Sequence, residues 1–161
     1  MLKVGDRAID FTMESSNGGT FTLSKRVKDG PVLLYFYVVD FGRTCTDYME
    51  LMNERYDQFK DLNVSLVHIN EGSMESHLSW IERTEARYEH LCDDGMEMAK
   101  RYDAIITQAK NEKLIGRINR CFFLVGSDMV LRYVWYAEWP TDTVPMDELL
   151  EKVREGLSAP L

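Results

Sequence analysis

A chain of 161 residues, 45% apolar, with ten glycines and four prolines, has the length and core content of one domain, expected over residues 1–161, without a long flexible linker. Its formal net charge of −8, with no basic stripe to offset it, argues against a nucleic-acid partner, because an acidic surface gains nothing from displacing the counterions of a duplex. The longest apolar run, Val32–Val39, is far too short to cross a bilayer, and the opening MLKVGDRAID has no apolar signal region, so no membrane is expected and the expected location is the cytoplasm.

Ala8–Met13 and Thr20–Leu23 alternate apolar with polar residues around the turn cluster SSNGG, which predicts an N-terminal β-hairpin. After Gly30-Pro31, the run VLLYFYVV (Val32–Val39) does not alternate, as expected of a central strand covered on both faces. The short loop Asp40–Thr44 leads into Cys45–Leu62, where Cys45, Met49, Met52, Tyr56 and Phe59 fall on one face of a helix. Val64–Ile69 predicts a second strand, Ser73–Tyr88 a second helix, and Gly95–Tyr102 a short one. Arg120–Val125 is a third main strand, Gly126–Asp128 a turn, Val130–Trp135 an antiparallel return, and Met146–Gly156 a closing amphipathic helix. Parallel strands need crossover helices, and both crossovers here are long enough. The order predicts an α/β chain of thioredoxin-like fold: a central mixed sheet flanked by helices, with an N-terminal β-hairpin extension.

Cys45, Cys92 and Cys121 are odd in number and widely spaced, which is not a disulfide framework. There is no Cys-x-x-Cys, and His68, His77 and His90 are scattered without metal-ligand spacing, so neither a metal nor another cofactor is expected. Cys45 stands where a loop leaves a central strand and a helix begins. Free N–H groups, the positive end of the helix dipole and nearby Arg43 favour a thiolate there. The residues alone leave a second reading, in which Cys45 is the first apolar member of a core-facing stripe. Cys92 lies beside Asp93 and Asp94, which disfavour a thiolate, and Cys121 sits in the apolar strand RCFFLV. Alternation sends its neighbour Arg120 to the opposite face, where it either snorkels to water or aims at an anionic sulfur.

Four segments resemble, in order, those of a peroxiredoxin of the alkyl hydroperoxide reductase/thiol-specific antioxidant superfamily: KVGDRAIDFTM, VLLYFYVVDFGRTCT, HLCDDGMEMAKRYDA and RCFFLVGSDMVLRYVW. The resemblance implies that Cys45 is the peroxidatic cysteine and Arg120 the active-site arginine, with Gly42, Arg43 and Thr44 at the substrate-binding loop. It implies reduction of hydrogen peroxide or organic hydroperoxides through a cysteine sulfenic acid, which an external thiol, thioredoxin-like or of low molecular weight, then reduces. It also suggests a homodimer. Four residues depart from the family pattern: Ile9 replaces the proline of the opening segment, Val38 replaces a proline, Gly42 a threonine whose hydroxyl holds peroxide, and Tyr48 a glutamate that helps orient the arginine. The common resolving position is Glu50 here. The resolving cysteine is therefore unassigned, with Cys92, expected in a mobile loop, as a weak candidate. These departures keep open an alternative: a redox sensor or binding protein on the same fold with little turnover.

Overall fold

The computed structural model describes residues 1–159; residues 160 and 161, the last of the expected domain, lie outside the described residues. In chain order the elements are β1 (Thr12–Ser15), β2 (Thr20–Thr22), α1 (Leu23–Arg26), β3 (Val32–Phe36), α2 (Arg43–Glu54), α3 (Tyr56–Asp61), β4 (Ser65–Asn70), α4 (Met74–Thr84), β5 (Glu89–Cys92), α5 (Glu97–Arg101), β6 (Cys121–Val125), β7 (Leu131–Tyr136) and α6 (Met146–Ser158). One seven-stranded sheet runs in the order β2-β1-β5-β4-β3-β6-β7. β3 pairs parallel with β4 and β4 with β5, while β6 and β7 run antiparallel, so the sheet is mixed. This is the expected thioredoxin-like α/β architecture.

β3 lies inside the sheet, between β4 and β6, and every residue of it is buried. Its alternation divides the core in two. Val32, Leu34 and Phe36 face a cluster closed by α1 and α5, with Cys121 and Phe123 of β6. Leu33, Tyr35 and, just beyond the strand, Tyr37 face a second cluster, closed by α2, α3, α4 and α6, with Phe122 and Leu124. β6 alternates in the same register, so Arg120 and Cys121 diverge to opposite faces, as predicted.

Several boundaries differ from expectation. The single helix over Cys45–Leu62 begins earlier, at Arg43, and breaks at Arg55 (φ −105°, ψ 10°) into α2 and α3. The helix over Ser73–Tyr88 is capped by Ser73, whose Oγ accepts from the Ser76 N–H at 3.1 Å. It stops at Thr84, where Glu85 turns left-handed (φ 55°) and its N–H returns to the Ile81 carbonyl. The freed chain forms β5, which no periodicity announced. The N-terminal hairpin is displaced to Thr12–Ser15 and Thr20–Thr22, and it joins the main sheet through β1 pairing with β5. β3 ends at Phe36 rather than Val39. Beyond it the Asn70 side-chain amide donates to the carbonyls of Tyr37 (2.8 Å) and Val38 (3.0 Å), replacing strand pairing.

Candidate active site

The site forms where β3 runs out into the loop 37–42 and α2 begins. The loop is tied down at Asp40, a buried carboxylate that accepts from Tyr37 Oη at 2.5 Å, His77 Nδ1 at 2.6 Å and Ser76 Oγ at 2.7 Å. Burial alone would push this carboxyl up, but the three hydrogen bonds outweigh it and hold it below the ordinary range. Phe41 adopts a left-handed conformation (φ 64°) with its ring at the surface, and Gly42 caps α2 without a side-chain hydrogen bond.

Cys45 is the third residue of α2 and is 4% exposed. The first N–H to bond back along the helix is that of Thr46, to Gly42 O at 2.7 Å. The N–H groups of Thr44 and Cys45 thus belong to the unpaired first turn, where partial positive charge gathers. Arg43 points outward. It lines a shallow cleft of about 210 Å³ together with Phe41, Thr46, Asp47, Trp80 and Arg83. The Thr46 hydroxyl is engaged, accepting from Trp80 Nε1 at 3.2 Å.

Arg120 arrives from the adjacent strand edge, 75 positions along the chain, and is 1% exposed. Its Nη2 donates toward Cys45 Sγ at 3.6 Å and to the Pro140 carbonyl at 3.2 Å. Its Nη1 donates to the Tyr35 hydroxyl. Tyr48 turns its ring toward the guanidinium (5.9 Å from Cζ to centroid), while its hydroxyl donates to the Val144 carbonyl at 2.6 Å. Of the two readings of Arg120, the one in which it snorkels to water is therefore wrong, because the side chain is buried and its guanidinium is held by Tyr35 of β3, Cys45 of α2 and the Pro140 carbonyl.

The other thiols are elsewhere. Cys121 is fully buried on the opposite face, and burial pushes its thiol up. Cys92 is not in a mobile loop: it ends β5, paired with Glu14 of β1 and Asn70 of β4, because the hairpin and β4 hold it from both sides. Its thiol is pushed up to about 11, first by burial and then by Glu14, Asp40 and Asp94. The three histidines, scattered in sequence, converge beneath the loop. His68 and His90 stack at 4.6 Å, and His77 lies 6.0 Å from His90. Sequence reading missed both this cluster and Tyr35. For Tyr35 a signal existed: a hydroxyl in a strand buried on both faces needs a partner.

A thioredoxin-like sheet with a cysteine in the first turn of the helix after its central strand, faced by a buried arginine, defines a peroxiredoxin-type protein. The comparisons agree. The AhpC/TSA family pattern matches residues 4–134. Among curated relatives, Peroxiredoxin 2 of Picrophilus torridus is 30% identical over 158 residues, covering 94% of this chain and 74% of its own. Peroxiredoxin 2 of Thermoplasma acidophilum is 28% identical with the same coverage. Of solved structures, Peroxidoxin BcpB of Mycobacterium tuberculosis superposes with a TM-score of 0.81 at 24% identity, covering 96% of this chain and 97% of its own. A cysteine-to-serine mutant of Xylella fastidiosa PrxQ superposes with 0.84 at 21% identity, covering 98% and 99%. The chain belongs to the AhpC/TSA family. It is a peroxiredoxin-type, thiol-dependent peroxidase, and its reaction takes a peroxide and a thiol reductant; the sensor alternative is not favoured.

Proposed function

We propose that Cys45 is the peroxidatic thiol and Arg120 the residue that stabilises charge on it. The Cys45 thiolate attacks one oxygen of hydrogen peroxide or an organic hydroperoxide. The O–O bond breaks, and the other oxygen takes a proton and leaves as water or alcohol. Cys45 becomes a sulfenic acid. An external thiol attacks that sulfur, releasing water and forming a mixed disulfide, and a second thiol frees Cys45. Arg120 is a donor already aimed at the sulfur before charge develops, and the N–H groups of Thr44 and Cys45, in the unpaired first turn of α2, are the further candidate donors. Gly42, at the cap of α2, and Arg43 and Thr44, its first two residues, line the approach for peroxide. The observation that carries the reading is the 3.6 Å approach of Arg120 Nη2 to Cys45 Sγ, both buried.

The cycle uses one cysteine. Cys121 lies across the sheet from Cys45, and Cys92 ends a strand two places from β3, where strands are spaced about 4.8 Å apart; a disulfide needs Cα atoms within about 7 Å. One domain carries the whole activity. Free thiols at all three cysteines suit a reducing cytoplasm, and exposed Phe41 and Trp139, in the segments that supply the site, suit a homodimer contact. The test is a steady-state peroxidase assay with thioredoxin or dithiothreitol as reductant. Turnover that ends on replacing Cys45 supports the assignment. Rapid, near-complete formation of a Cys45–Cys92 or Cys45–Cys121 bond with one equivalent of hydrogen peroxide overturns the one-cysteine cycle.

A further inference from the structure

Arg120 is buried with its charge, and among the described residues no carboxylate pairs with it. A guanidinium carries five N–H donors in a rigid fork, so its aim is set by whichever acceptors hold the fork. Here Nη2 serves Pro140 O and Cys45 Sγ, Nε has no partner, and Nη1 has one acceptor, the Tyr35 hydroxyl. Tyr48, at the position of the family's orienting glutamate, offers only its ring, and its hydroxyl is turned away to Val144.

Tyr35 is placed to hold that fork still. It is the penultimate residue of β3, its Cα opposite His68 on one side and Phe122 on the other. Its ring stacks on Phe122 at 4.6 Å and meets His68 edge-on at 5.1 Å, and the residue is 1% exposed. A side chain packed on both sides cannot change rotamer without disturbing the sheet. Its hydroxyl oxygen is therefore a fixed point beneath the guanidinium.

We propose that Tyr35 is a positioning residue for the peroxidase reaction: its hydroxyl accepts from Arg120 Nη1 and so aims Nη2 at Cys45 Sγ. The proposal rests on the assignment of Cys45 and Arg120 above. Tyr35 acts as a neutral acceptor. Burial foremost pushes its hydroxyl up, more than the Arg120 charge pulls it down, so it stays protonated at physiological pH. That neutrality has a consequence. A carboxylate in this place would cancel the guanidinium's charge, whereas a hydroxyl orients the fork and leaves the full positive charge to the sulfur anion, in surroundings where charge interactions are strong.

The test is Tyr35→Phe, which keeps the stacked ring and deletes only the acceptor. The readouts are the pH profile of Cys45 alkylation by iodoacetamide and kcat/KM for hydrogen peroxide at saturating dithiothreitol. The expected result is a profile displaced to higher pH and a kcat/KM lower by about tenfold, less than the loss of a donor that touches the reacting atoms. Tyr102→Phe is the control. It deletes a buried hydroxyl that bonds the Ile9 carbonyl at 2.6 Å in the other core cluster, and it should leave the profile in place. Because a buried guanidinium short of an acceptor weakens folding, Tyr35→Phe is also made in an Arg120→Met background. There it should change the alkylation profile by less than about twofold at any pH, since a residue that acts through Arg120 has nothing left to act on.

A parent-like profile and rate in Tyr35→Phe, an equal displacement in Tyr102→Phe, or an undiminished Tyr35→Phe effect without Arg120 would each overturn the proposal. Cys45→Ser separates the two levels. An inactive Cys45→Ser beside an unaltered Tyr35→Phe overturns the role of Tyr35 alone, whereas turnover surviving in Cys45→Ser overturns the underlying assignment.

Discussion

Cys45 and Cys121 are both free, both buried and both packed against the same sheet, but from opposite faces. Their surroundings make them different chemical groups. Cys121 pairs through its backbone with Phe36, sits among apolar side chains, and has its thiol pushed up by burial. Cys45 stands in the unpaired first turn of a helix and meets a guanidinium that, among the described residues, has no carboxylate partner. Burial by itself makes a thiol inert. On the proposed assignment, burial combined with donors already in place is what would stabilise charge at Cys45 during peroxide reduction.

The largest test of this contrast is deletion of each sulfur. Cys45→Ser should lower peroxidase kcat/KM by on the order of 10³ or more. Cys121→Ser should retain activity and lose only stability, by about 1–2 kcal/mol for a hydroxyl buried among apolar groups, read from urea denaturation. Arg120→Met should cost on the order of 10²–10³ in the same assay, with stability kept or raised because an unpaired buried charge is removed. Equal losses from Cys45→Ser and Cys121→Ser would erase the distinction between the faces.

Acid should strike the Cys45 face selectively, because the buried histidines all lie there. Burial, foremost, lowers His90 to about 4 and also holds His68 well below its ordinary value, while free histidine titrates near 6.5. Between those values the unfolded chain binds protons that the folded chain refuses. Stability is therefore full above about pH 6.5 and is lost as pH falls toward 4, by roughly 3 kcal/mol for His90 alone. Urea denaturation at pH 7 and pH 4.5 should show that loss, with a smaller pH dependence in His90→Phe. An unchanged difference would remove His90 as its source.

Alkylation order sharpens the comparison further. Iodoacetamide at near-neutral pH should modify Cys45 first. Cys92, pushed up to about 11 by burial and then by Glu14, Asp40 and Asp94, should react appreciably only as pH approaches that value, and Cys121 only on unfolding. Peptide mass mapping of the folded protein reads the order, and early labelling of Cys92 would reverse it.

The smallest expected effect is a gain. Gly42→Thr should raise activity more than Val38→Pro, because it adds a hydroxyl at the peroxide loop, where proline adds only shape. A Cβ at Gly42 would stand 2.9 Å from Val39 Cγ1, so the gain should be larger when paired with Val39→Ala. Gains that are equal, or larger for Val38→Pro, would show that the missing hydroxyl is not limiting.

Much of this was legible one residue at a time. The unbroken apolar run before Asp40 marked the central strand, Ser73 marked the start of α4, and Cys45 stood out because a loop and a helix meet at it. What escaped was set by neighbours. β5 is four residues, Glu-His-Leu-Cys, with no strand pattern of its own; it exists because β1 and β4 lie ready on either side. The histidines read as scattered because the distances that gather them are across strands rather than along the chain. Tyr35 read as one more core aromatic.

By itself, then, the sequence determined what is local: the period of two that sends Arg120 and Cys121 apart, the helix start beneath Cys45, and the residue types able to do thiol chemistry. Only the tertiary structure decided which of those groups meet. Arg120 lies 75 positions from Cys45 and 85 from Tyr35 along the chain, and the three come together because β6 runs antiparallel beside β3 in the register that sets Tyr35 against Phe122 and Phe36 against Cys121. Alternation is a property of one strand, but register belongs to a pair, chosen by the packing of both faces at once, since a slip of one residue would turn Arg120 away from the sulfur and Cys121 toward it.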